Sequence, residues 1–191
     1  TFTLEEKGIQ GLVAHVTGMK SEKRSLLPLE WHRDSCDENL LQWLRRRVIP
    51  KNRTFVDEIL KTLGLSANDT KGIIDVCKGL SLNDSYWVVP AGFEGSFAEY
   101  NLYENRFSEI LALVAYTGAG SSHQVFTTSP ELTTGGMLPK AWRFFGKEGI
   151  WLYKGGTSGA ANTGKEPYSE YYTCQVAEAM GLHAVQYDLE N

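Results

Sequence analysis

The sequence predicts an α+β protein: a mainly helical N-terminal region, then a small antiparallel sheet with one helix packed on it. Three observations predict this. Apolar residues recur at helical spacing between residues 37 and 79, and again between 103 and 116. Two strand-forming runs, 140–145 and 150–154, flank a Gly-Lys-Glu-Gly turn. Finally, Pro167 near the start and Gly181 at the end bracket a last helical stretch.

In chain order, residues 1–30 read as extended structure. Leu12, Ala14 and Val16 alternate with Val13, His15 and Thr17, as in a strand, and Gly18 with the charged 20–24 segment marks a turn. His15 reads as a structural residue because no ligand motif accompanies it. Asp37 can cap a helix bearing Leu40, Leu41, Leu44 and Val48, which Pro50 stops. Thr54 can cap a second, bearing Phe55, Ile59, Leu60 and Leu63 and ending at Gly64. Asn68 or Asp69 opens a third, with Ile73, Ile74 and Cys77 before Gly79. Residues 86–90 read as a short strand, 91–101 as a glycine-containing aromatic loop, and 103–116 as a helix that Gly118 ends. The small residues at 118–122 suggest a boundary. They divide the chain into a mainly helical region, 1–120, a candidate partner-binding module, and a second region, 121–191.

The 191 residues suffice for one substantial domain or two small ones. A net charge of −4 offers no general attraction to nucleic acid or membrane surfaces, so neither is an expected partner. The one dense basic run, Arg45-Arg46-Arg47 with Lys51 and Arg53 behind it, reads as a solvated helix end. Three cysteines far apart, with no CxxC and no metal-ligand spacing, point to a reduced, cytoplasmic protein. No apolar run is long enough to cross a bilayer.

The chemistry concentrates after residue 132. Thr133-Thr134-Gly135-Gly136-Met137-Leu138-Pro139-Lys140 is a glycine loop running into a strand. Alternation in the next strand sets Ile150, Leu152 and Lys154 on one face, so Lys154 emerges at the end of an apolar surface. A glycine-rich linker, 155–164, leads to a helix carrying Glu170, read here in its first turn. Each feature has a plain explanation: glycine pairs make turns, strand lysines face water, and first-turn glutamates suit the helix dipole. The loop is no GxxxxGK[ST] motif. The order of the three features nevertheless fits a nucleotide-holding lobe, in which a loop covers phosphates and a Lys–Glu pair positions them.

Gly135-Gly136-Met137-Leu138-Pro139-Lys140-Ala141 resembles the GGxxPKA loop of HipA-like serine/threonine kinases, the toxins of bacterial toxin–antitoxin systems. Tyr153-Lys154 falls where that family carries its nucleotide-binding lysine, and Glu170-Tyr171-Tyr172 resembles the helix whose glutamate pairs with it. The resemblance covers about residues 125–191. It implies a kinase N-lobe that binds ATP with magnesium: Gly135, Gly136, Met137 and Leu138 around the phosphates, Lys140 closing the loop, Lys154 on the phosphates, Glu170 orienting Lys154. It also implies regulatory phosphorylation just ahead of the glycines, at Thr133, Thr134 or Ser129. The family's acceptor-positioning aspartate and magnesium ligands lie in a helical C-terminal lobe, and no catalytic residue is assigned within this chain. The expectation is therefore an N-terminal portion of a longer kinase, inactive alone, with the other lobe, an antitoxin or a protein substrate as partners. The alternative is a non-enzymatic interaction module that binds a protein through Phe93, Phe97 and Tyr100.

Overall fold

The computed structural model describes residues 1–8, 11–31, 36–120, 128–158 and 164–190. Among them run β1 (Phe2–Lys7), β2 (Gly11–Val16), α1 (Asp37–Arg45), α2 (Val56–Lys61), α3 (Thr70–Cys77), α4 (Phe97–Tyr100), α5 (Glu109–Thr117), β3 (Lys140–Phe144), β4 (Ile150–Lys154) and α6 (Glu166–Ala179). The α+β class is as the sequence predicts. The sheet component is two separate antiparallel hairpins, β1–β2 and β3–β4.

The first hairpin buries Leu12 and Ala14 on the alternate positions the sequence indicates. Beyond it, Ser21–Leu26 and Leu29–Trp31 coil into 3-10 turns rather than staying extended. Asp37 does not cap α1; Cys36 stands at the cap. The Asp37 carboxylate instead accepts from the backbone N–H of Val16 at 2.7 Å and shares a hydrogen bond with His15 at 2.8 Å. One side chain thus ties the strand to the helix, and that backbone N–H, ahead of the ring, holds its pKa below the usual range.

Thr54 likewise leaves its expected cap. Phe55 takes that position with φ +62°, and Thr54 reaches across to the glycine loop. Asp69 does cap α3, accepting from Gly72 N–H at 2.7 Å. Residues 86–90 form no strand. Val88 makes a single backbone bond to Lys78, Pro90 has no N–H to offer, and Trp87 is drawn into an aromatic cluster. The helix expected from 103 starts at Glu109. The Asn101 side chain accepts the N–H groups of Tyr103 and Glu104 and holds a turn there, and Ser108 caps α5.

One core cluster joins Ile49, Val56, Ile59, Leu60 and Leu63 to Ile73, Cys77, Leu111, Val114 and Leu132. Another packs Leu80, Leu102 and Phe107 against Trp142, Phe144 and Ile150. Apolar contact therefore runs from the helices onto β3–β4. The segment 121–127, which takes in part of the boundary read at 118–122, lies outside the described residues, as does part of the 155–164 linker.

The basic run is no solvated helix end. Arg45 and Arg46 are exposed, but Arg47 and Arg53 are buried. Arg46 pairs with Glu30 at 3.0 Å. Arg47 lies over the Trp43 ring at 4.0 Å and bonds Asp84 and the Gly79 carbonyl. A guanidinium carries enough donors to be buried when acceptors converge on it, and the pattern of neighbouring letters does not reveal those acceptors. The C-terminal 182–190 stretch also forms no strand. Its backbone turns back on α6: Leu182 N–H donates to Ala177 and the Cys174 thiol to the Val185 carbonyl.

Candidate functional site

The site is built on β3–β4, whose register sets Lys140 directly opposite Lys154. Directly paired residues share a face, so both lysines emerge at the same end of the hairpin. They take different partners. Lys140 curls back, and its ammonium donates to the Gly135 carbonyl at 2.8 Å. Lys154 donates to Glu170 Oε2 at 2.7 Å. The sequence-predicted Lys–Glu pair is thus brought together across 16 residues.

The position of Glu170 within α6 sharpens its meaning. The helix begins at Glu166, so Glu170 lies beyond the first turn where the dipole favours a carboxylate. Glu166 fills that place and accepts from the Thr157 hydroxyl at 2.7 Å and the Thr157 N–H at 3.1 Å. Glu170 is left facing Lys154. Partial burial pulls the Lys154 pKa down, but the hydrogen bond and charge of Glu170 outweigh it, and the net shift is upward. Burial also pulls Lys140 down, with Arg53 and Lys154 adding to the effect.

Two carbonyls of the glycine loop, those of Gly135 and Met137, are engaged by the protein. Met137 O accepts both the N–H of Thr54 at 2.8 Å and its hydroxyl at 2.9 Å, while Gly135 O accepts Lys140. Among the described residues, the backbone N–H groups of Gly135, Gly136, Met137 and Leu138 donate to no protein acceptor. Gly136 sits at φ +87°, a backbone conformation that favours glycine, with the movable ammonium end of Lys140 beside it. A loop with tied carbonyls and unengaged N–H groups is a donor rim suited to an anion.

Beneath the loop lies a network that sequence reasoning missed. Arg53, 2% exposed, pairs with Glu131 at 2.6 Å and donates to the carbonyls of Glu131 (2.7 Å) and Lys140 (2.9 Å). The other Glu131 oxygen accepts from Trp142 N–H at 2.6 Å, and the Trp142 indole donates to Thr134 at 2.8 Å. Burial raises the Glu131 pKa, opposed by Arg53 and the Trp142 N–H. Arg53 of the helical region and its partner Glu131 thus hold β3 at the Lys140 carbonyl and the Trp142 N–H.

The three proposed phosphorylation positions point inward. Ser129 and Thr133 are buried. Thr133 donates to Leu80 O at 2.8 Å, Thr134 to Pro130 O at 2.6 Å, and Ser129 Oγ accepts from Glu131 N–H. In the aromatic loop, Phe93, Phe97 and Tyr100 pack on Trp87, and the Lys78 ammonium lies 5.1 Å over both Phe93 and Tyr100.

The C-terminal stretch borders the site, with the Tyr187 ring 5.4 Å from the Lys154 ammonium. The Glu190 carboxylate beside Tyr153, more than burial, raises the pKa of that phenol. Two cavities lie elsewhere. An apolar one of about 120 Å³ adjoins β2 and Leu40, and a polar one of about 190 Å³ adjoins Arg46, Arg47 and Asp84. Among the described residues, no group of three His, Cys, Asp or Glu side chains is disposed to hold a metal ion. The donors present fit phosphate oxygens, and they do not form a magnesium site. Among the described residues no helix is long and apolar enough to cross a membrane. No family model matches the chain, and neither a curated protein nor a solved structure matches it.

Proposed function

We propose that this chain binds the phosphates of ATP as the nucleotide-holding lobe of a HipA-like protein serine/threonine kinase. The reading is carried by the Lys154–Glu170 pair, closed at 2.7 Å beside a glycine loop with unengaged N–H groups. Glu170 aims the ammonium, Lys154 neutralises phosphate charge, and the N–H groups of Gly135 to Leu138 donate to phosphate oxygens. Lys140 braces the loop from below through the Gly135 carbonyl. The acceptor-positioning aspartate and the magnesium ligands belong, in this proposal, to a second lobe, so this chain transfers no phosphate by itself. Phosphorylation at Ser129, Thr133 or Thr134 would require the segment to leave its packed position, because the hydroxyls are turned inward.

Calorimetric titration of Mg-ATP tests the reading. The expected result is binding that falls about tenfold or more in Lys154→Ala, as befits loss of a charged contact to phosphate, and falls less in Glu170→Gln. Undiminished affinity in Lys154→Ala removes the role assigned to that residue. Incubation of a phosphorylation-competent form with ATP, followed by mass spectrometry, tests the regulatory positions; Ser129, Thr133 and Thr134 all remaining unmodified would exclude them.

A further inference from the structure

We infer that Thr54, a residue of the helical region, is a positioning residue for phosphate: it sets the Leu138 N–H as a donor. The inference rests on the phosphate-binding reading of the glycine loop. Thr54 places both of its donors on one acceptor, its N–H at 2.8 Å and its hydroxyl at 2.9 Å from Met137 O. That carbonyl and the Leu138 N–H belong to a single peptide unit, which is trans. In a planar trans peptide the two groups point in opposite directions. Holding Met137 O against Thr54 therefore turns the Leu138 N–H away from Thr54. Among the described residues that N–H has no protein acceptor.

The same geometry recurs two residues earlier. Lys140 holds the Gly135 carbonyl at 2.8 Å, and the Gly136 N–H of that peptide is turned the other way. Two anchored peptides thus leave two N–H groups, those of Gly136 and Leu138, free to donate to an anion. The first anchor comes from the strand the loop runs into. The second comes from a residue 83 positions away.

The helical region keeps Thr54 in this place at a local cost. A threonine ahead of a helix ordinarily caps it through the hydroxyl. Here the cap position of α2 falls to Phe55 at φ +62°, a left-handed conformation that a residue with a side chain seldom adopts. The Phe55 ring lies against Gly118 at the end of α5, so close that a Cβ on that glycine would clash with it. On the other side of Thr54, Arg53 takes the carbonyls of Glu131 and Lys140. Two successive residues therefore hold three carbonyls, at 131, 137 and 140, that flank the glycine pair. Strained backbone of this kind gathers where a ligand-holding segment must be fixed.

The test titrates the full chain with Mg-ATP and with inorganic tripolyphosphate, which offers phosphates alone. Thr54→Val removes the hydroxyl at nearly constant volume and should weaken both ligands about fivefold, the effect of one hydrogen bond. Thr54→Ser keeps the hydroxyl and should bring affinity back to within about twofold of the wild type. Thr62→Val is the control for lost structure, since it removes a hydroxyl bonded to Glu58 O at 2.9 Å, away from the loop. Its affinity should stay at the wild-type level. Amide NMR reads the positioning itself. Tripolyphosphate should shift the Gly136 and Leu138 signals in the wild type, and in Thr54→Val the Leu138 response should shrink more than the Gly136 response. Unchanged affinity in Thr54→Val, equal weakening in Thr54→Ser or Thr62→Val, or an undiminished Leu138 response overturns the inference and leaves the phosphate reading standing. A wild-type chain that binds neither ligand overturns that reading and the inference with it.

Discussion

The packed helices α2 and α3 and the helix after residue 165 treat their side chains in opposite ways. α2 and α3 bury three residues each, in eight residues or fewer. α6 is the longest helix described and buries one. The same contrast holds for charge. Arg53 and Glu131 meet in the interior with almost no exposure, whereas Lys154 and Glu170 meet about one-third exposed. The first pair is architecture, because desolvated charges keep their place only while every acceptor stays in position. The second is accessible, pivots on side chains that water reaches, and lies beside unengaged backbone donors. Packing is dense around Arg53–Glu131 and the helices before residue 120, and thin along α6.

The widest separation between the two regions should come from breaking each ion pair. Arg53→Ala leaves Glu131 buried without its cation and should destabilise the protein by about 3–5 kcal/mol in denaturant unfolding. Arg53→Met combined with Glu131→Leu should recover much of that loss, because neither charge then needs solvation. A loss under about 1 kcal/mol for Arg53→Ala would mean the interior pair does not couple the helices to β3–β4.

Truncating apolar groups should divide the regions again, with a smaller span. Leu60→Ala, at a position with no exposure, should cost about 2–5 kcal/mol. Val176→Ala on the outer side of α6 should stay within about 0.5 kcal/mol. Comparable losses at both sites would show that the α6 face is covered in solution.

The Cys77 thiol reports on the densely packed side under alkaline titration. Burial pushes the Cys77 thiol up to about 12, from an ordinary value of 9.0. The unfolded chain therefore gives up this proton while the native chain keeps it, and stability declines as pH rises from 9 towards 12. In Cys77→Ala that part of the decline should be missing from melting temperatures measured across the range. An unchanged slope would mean that the native thiol already ionises with the unfolded one.

The sequence conveyed these two regions unequally. Features governed by near neighbours were legible: alternation and a turn for β3–β4, Pro167 and Gly181 for α6, Asp69 for the α3 cap. Lys154 and Glu170 were legible because a strand end and a helix start fix where each side chain emerges. Arg53–Glu131 and Thr54–Met137 were not, since their partners stand 78 and 83 residues apart and no periodicity records such a meeting. Local rules also failed where a distant partner prevailed over them: Thr54 left its cap for a carbonyl of the glycine loop, and Trp87 left a strand-like run for its aromatic neighbours. Tyr168, Tyr172, Val176 and Met180 stood in the letters at four-residue spacing. Only the fold reveals that they stay exposed along α6 and at its end.

The smallest expected effect tells most about the exposed region. Lys154→Ala removes an ion pair whose members are 30% and 37% exposed, so screening by water and salt limits its stabilisation to about 1 kcal/mol or less. The sign with pH comes from the raised Lys154 pKa. Its contribution is fully present below the ordinary lysine value of 10.5 and is lost as pH rises through the raised one. Near neutral pH the variant should therefore unfold within about 1 kcal/mol of the wild type while losing its Mg-ATP signal. That dissociation of stability from binding is what an accessible, functional ion pair produces. If Lys154→Ala instead destabilised the chain as much as Arg53→Ala, the 154–170 pair would be a second internal brace, and the contrast between the two regions would collapse.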